Sequence, residues 1–147
     1  MTARLSLYDR DFPLWIEATV RQLRERDFDS VDWENVIEEI DSLGRDNKSE
    51  LKRLVTQLLV YLLKLAYLPT ENQRESNEWK AESLSVRFEI ENILEDSPSL
   101  KPYLLENFDS RYETARKIVS DLIGRNLPTE KIVSPEEAFN EDWFPKI

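Results

Sequence analysis

Apolar residues recur at every third or fourth position through most of this chain, and in one stretch they close around almost the whole helical circumference. That stretch begins at Leu51 and ends at Leu68, and from Leu58 onward Lys64 is its one charged interruption. A helix that is hydrophobic on all sides is stable only when enclosed, so residues 51–68 are predicted to form a buried central helix. The segments on either side are amphipathic. Phe12, Trp15, Ile16, Val20 and Leu23 line one face of a helix that Asp11 caps, that carries Pro13 in its first turn and that runs to about Arg26. After a short connection, Asp32 caps a second helix whose stripe is Trp33, Val36, Ile37, Ile40 and Leu43. Gly44 marks the predicted end of that helix, with one continuous helix bent at Gly44 as the alternative.

Pro69 stops the central helix, and residues 70–77 read as a polar loop or a frayed start. The next helix, residues 78–95, is predicted to bury Trp79, Val86, Ile90, Ile93 and Leu94. Ser97 and Pro98 open another, with a short first piece before Pro102 and a main run that buries Leu104, Phe108, Tyr112, Ala115, Ile118, Val119 and Leu122 before Gly124. Ser134 and Glu137 form a capping-box signature for a last short helix, followed by the aromatic pair Trp143 and Phe144. The expected fold is all-α: an irregular bundle of five to seven helices around the helix from Leu51 to Leu68, in one domain over residues 1–147.

Composition narrows the chemistry. Two glycines in 147 residues are too few for a hairpin-rich β fold. Cysteine and histidine are absent, which removes disulfides, thiolate catalysis, sulfur-ligated metals, imidazole-dependent triads and carboxylate-plus-histidine di-metal bundles. No charged-then-apolar leader and no run of about 20 apolar residues is seen, so the cytoplasm is the expected location and no membrane partner is expected. The formal net charge is −10, and the 20 Lys and Arg are interleaved with 30 acids, densest at residues 21–26 and 48–53. A polyanion is repelled over most of such a surface, so nucleic acid is not an expected partner.

The stretches Leu7-Tyr8-Asp9-Arg10-Asp11-Phe12-Pro13-Leu14-Trp15, Glu34-Asn35-Val36-Ile37-Glu38-Glu39-Ile40 with Asp41-Ser42-Leu43-Gly44-Arg45, the leucine-rich residues 58–69, and Ser97-Pro98-Ser99-Leu100-Lys101-Pro102-Tyr103-Leu104 together resemble a small bacterial family known only as domain of unknown function twenty-nine. The segments follow the family's order over nearly the whole chain. The resemblance implies an all-helical fold and no established activity. Many members carry His where this chain has Tyr61 and Trp where it has Leu65, so an imidazole-dependent metal site is not carried over.

Three groups of side chains are candidates for function. Glu34, Glu38 and Asp41 share one flank of the second helix, and oxygen ligands at that spacing could hold Mg²⁺ or Mn²⁺ and orient a phosphate for attack by water. The plainer reading is a solvated acidic flank, since no second acidic helix of distinctive spacing and no glycine-rich phosphate loop accompanies it. Lys64 is a cation on a nearly all-apolar helix that either extends to water along its stem or finds an acidic partner. Tyr8, Tyr67 and Trp143 lie near predicted element ends, where aromatics can form a binding patch, whereas the other aromatics fall at core spacing. No catalytic residue and no cofactor is assigned. The expected function is a non-catalytic acidic interaction module that binds another protein or itself; the alternative is a Mg²⁺-dependent hydrolase of nucleotides or related phosphates built on the acidic trio.

Overall fold

The computed structural model describes residues 6–146. Six α-helices are formed among them: α1 (Leu7–Arg10), α2 (Phe12–Arg24), α3 (Trp33–Tyr67), α4 (Gln73–Asp96), α5 (Lys101–Ile123) and α6 (Pro135–Phe139). No strand occurs among the described residues, and no helix among them is long and apolar enough to cross a membrane. Internal contacts gather the chain into two compact units, divided between Asp46 and Asn47 within α3.

In the N-terminal unit, Ser6 and Asp11 cap α1 and α2 in succession, the Asp11 carboxylate accepting the Leu14 backbone N–H at 3.1 Å. Pro13 occupies the first turn of α2, where no donor is missed. Beyond α2 the chain turns through Arg26, which adopts φ +58°, and a single 3₁₀ turn at Phe28–Ser30. The Trp33 indole N–H donates to the Phe28 carbonyl at 2.9 Å and fixes the entry into α3. Asp32 accepts the Asn35 backbone N–H there, as its capping position predicts.

Gly44 does not end a helix. The two helices expected on either side of it are the single 35-residue α3. Gly44 keeps a negative φ, since Gly124 is the positive-φ glycine. One glycine costs a helix about 1 kcal/mol relative to alanine, and no proline follows to make that small penalty decisive. The start of α4 also differs from expectation. The Asn72 side chain accepts the Glu75 N–H at 2.9 Å, which begins the helix at Gln73 and draws most of the predicted loop into it.

The core of the second unit is built as the hydrophobic pattern requires. Leu51, Leu54, Leu58, Leu59, Leu62 and Leu63 of α3 are all but inaccessible to solvent, packed with Val86 and Ile90 of α4 and with Leu104, Phe108, Tyr112, Ala115 and Val119 of α5. Each such leucine contributes roughly 1.5–3 kcal/mol relative to exposure. Ile118 and Leu122 are exceptions to the expected core. They stand one step around α5 from the buried line and are exposed. Gly124 ends α5 in the left-handed conformation at φ +74°. The following segment is tied back by polar contacts: the Ser120 hydroxyl accepts the Leu127 N–H at 3.0 Å, and the Tyr112 hydroxyl accepts the Ile132 N–H at 3.0 Å. Ser134 and Glu137 close the capping box on α6.

Candidate functional site

The N-terminal unit departs most from a closed core. On α2, Trp15 and Thr19 are buried, but Phe12, Ile16 and Val20 are exposed. On the first turns of α3 the half-buried positions are Asn35, Val36, Glu39 and Ser42. The apolar side chains beside them are left outside: Trp33 is exposed, and Ile37, Ile40 and Leu43 are 64%, 64% and 63% exposed. These residues were expected to line the inner faces of the first two helices. The structure corrects that expectation, because each helix turns a neighbouring, more polar line of side chains inward. An isolated exposed leucine needs no explanation, but a run of large apolar side chains along two helices of one small unit does.

Tyr8 lies at the edge of this face. Its ring meets Trp15 edge-on with centroids 4.9 Å apart and Phe12 at 5.7 Å. Its hydroxyl donates to the Glu39 carboxylate. That hydrogen bond, with lesser contributions from desolvation and the neighbouring acids, pushes the phenol pKa up to about 12. Tyr8 therefore fastens α1 to α3.

Glu34, Glu38 and Asp41 are exposed on α3 as its period predicts. Two of them are engaged by Arg45, which donates to Asp41 at 2.7 Å and to Glu38 at 3.1 Å. Among the described residues no three His, Cys, Asp or Glu side chains form a group that could hold a metal ion.

The remaining candidates belong to the second unit. The Lys64 ammonium lies 5.3 Å from the Tyr61 ring centre and 5.8 Å from that of Trp79, so its half-buried stem ends over two aromatic faces. Tyr67 and Trp143 come together across 76 residues of sequence, lining a cavity of about 250 Å³ with Ala66, Ile132, Pro145 and Lys146. Lys64 lines a separate groove with Arg53 and Arg111.

Arg87 escaped the sequence reading. It is 3% exposed, and its Nε donates to the Ala138 carbonyl at 2.7 Å. The Phe144 ring lies 5.0 Å from its guanidinium carbon. Burial lowers its pKa. The signal was its spacing: Ser83, Arg87 and Ile90 occupy one face of α4, and Arg87 sits where an apolar residue would belong. It also lines a cavity of about 640 Å³, with apolar walls from Ile90, Leu94, Leu104 and Phe139 and acids at Glu91, Glu95, Glu141 and Asp142.

The chain is thus an all-α protein with a closed leucine-rich core in one unit and an uncovered apolar face on the other. It belongs to the family of the domain of unknown function DUF29, whose model matches residues 7–144. No curated protein and no solved structure matches it.

Proposed function

We propose that this chain is a non-catalytic acidic protein-interaction module that binds through the apolar face of its N-terminal unit. The observation that supports the reading is the exposure of Ile37, Ile40 and Leu43 on α3 together with Phe12, Ile16 and Val20 on α2. Apolar surface left in water forgoes about 25 cal/mol per Å² that a partner would recover. The acids and arginines bordering the face keep the free module soluble and select what may dock.

The test compares the wild-type chain with Ile40→Glu, a change at an exposed helical position that is expected to leave the circular-dichroism spectrum unchanged. Isolated gently, the wild type is expected to carry a stoichiometric protein partner, whether another chain or itself, that Ile40→Glu loses. A wild type that is a clean monomer and retains nothing overturns the reading.

A further inference from the structure

We infer that the cavity beside Arg87 is a binding site for a short apolar zwitterion, of which a di- or tripeptide with free ends is the simplest, its carboxylate held at Arg87 and its ammonium at the acids of the rim. All the residues that line it belong to the second unit, so the site does not depend on the N-terminal apolar face.

Arg87 is a positive charge that the chain buries without neutralising. Its acceptors are the uncharged carbonyls of Ala138 and Glu137, the second at 3.4 Å, and among the described residues no carboxylate forms an ion pair with it. Its Nη1 is buried and has no acceptor among those residues. A buried cation in this state is costly, and the charge-assisted hydrogen bonds of a carboxylate relieve it better than those of any neutral group. The long bond to Glu137 is the one an entering carboxylate displaces most cheaply.

A simple anion does not suit the rest of the cavity. Glu91, Glu95, Glu141 and Asp142 border it against the single ammonium of Lys101. These acids are exposed, and among the described residues none is in an ion pair. They do not gather into a metal site. A spread of carboxylates suits an ammonium, whose rotatable donors demand no fixed coordination geometry. The order of residues along α4 matches such a ligand. Arg87, Ile90, Glu91, Leu94 and Glu95 share one side of the helix, with the acids about 6 and 12 Å further along its axis than the arginine and apolar side chains between. A di- or tripeptide spans about 7–11 Å between its ends. The volume of about 640 Å³ is that of a small-molecule site.

The experiment is isothermal titration of the full chain with dileucine and trileucine, beside dileucine amide, N-acetyl-dileucine and octanoate. At least one of the free-ended peptides is expected to bind saturably, the amide and the N-acetyl form at least tenfold more weakly, and octanoate no better than the N-acetyl form. Glu91→Gln/Glu95→Gln, at exposed positions, should erase the difference between the free-ended and N-acetyl peptides. Arg87→Gln, where it folds, should bind acid and amide alike; where it does not fold, the pair of ligands on the wild type decides. No saturable heat with either free-ended peptide overturns the inference, as does an amide or N-acetyl form that binds as well as the free-ended peptide, or octanoate that binds better. An Arg87→Gln chain that still prefers the acid overturns it too, since the carboxylate is then held at another cation such as Lys101.

Discussion

The Arg87 Nε donates to the carbonyl oxygen of Ala138 at 2.7 Å and joins the middle of α4 to the end of α6, 51 residues further along the chain. A five-residue helix leaves its terminal carbonyls without intrahelical partners, and a buried guanidinium supplies the donors while Phe144 covers its face. Replacement by alanine leaves Ala138 without this donor and opens a cavity. Arg87→Ala is expected to cost about 2–4 kcal/mol. Urea unfolding measures the loss, and limited proteolysis should show cleavage shifting to residues 134–146. Unchanged stability would mean the arginine is a passenger.

Burial divides the apolar side chains of α3 into two populations that mutation should tell apart. Leu58 is fully enclosed and Ile40 mostly exposed, although both lie on apolar stripes of the same helix. Leu58→Ala is expected to destabilise by about 2–5 kcal/mol. Ile40→Ala should change the stability of the monomer by no more than about 0.5 kcal/mol, a contrast readable from chemical denaturation at low protein concentration.

That contrast also shows what the pattern of residues could and could not reveal. The central leucines were legible because a helix apolar all round has only one stable setting, and Asp11, Gly124 and the Ser134/Glu137 box were legible because caps act locally. Periodicity finds an apolar face but does not say whether the face meets the same chain or another. Hence the pattern places Ile37 and Ile40 inside, whereas they are outside. For Arg87 the spacing with Ser83 and Ile90 marks an inward position, but its partner is a backbone carbonyl distant in sequence, which local spacing does not announce. The acidic trio was found on one flank as expected, but the Arg45 that engages two of its members depends on rotamers that spacing does not fix.

Gly44 and Gly124 should respond oppositely to alanine. A Cβ at Gly44 meets nothing within 4 Å and the backbone is helical, so Gly44→Ala is expected to stabilise the chain by about 0.5–1 kcal/mol. Gly124 also has open space, yet its φ of +74° strains any side chain, and Gly124→Ala should destabilise by about 1 kcal/mol. Thermal melts of the two variants check the signs.

Tyr8 gives the N-terminal unit a dependence on alkaline pH. Its phenol titrates near 12 in the folded chain against an ordinary value of 10.0. The folded form therefore holds its proton more tightly than the unfolded one. The stabilisation is complete below pH 10 and declines as pH rises from 10 towards 12. Tyrosinate absorbance of the wild type minus that of Tyr8→Phe should isolate one group titrating near 12. A difference centred at 10 would mean the Glu39 hydrogen bond does not persist in solution.

The hydrolase alternative makes its own demand on α3. A divalent ion held by Glu34, Glu38 and Asp41 must compete with Arg45, whose guanidinium already occupies Glu38 and Asp41 at hydrogen-bonding distance. An exposed pair of this kind is worth at most about 1 kcal/mol, so it alone would not keep out an ion that a true site binds well. Among the described residues, however, no three acids form a group that could hold a metal ion. Isothermal titration of the wild type with Mg²⁺ or Mn²⁺ is therefore expected to show no saturable heat. Arg45→Ala, which frees both carboxylates, is expected to show none either. Saturable binding abolished by Glu38→Gln, accompanied by turnover of a nucleotide, would displace the interaction reading in favour of metal-assisted phosphate chemistry.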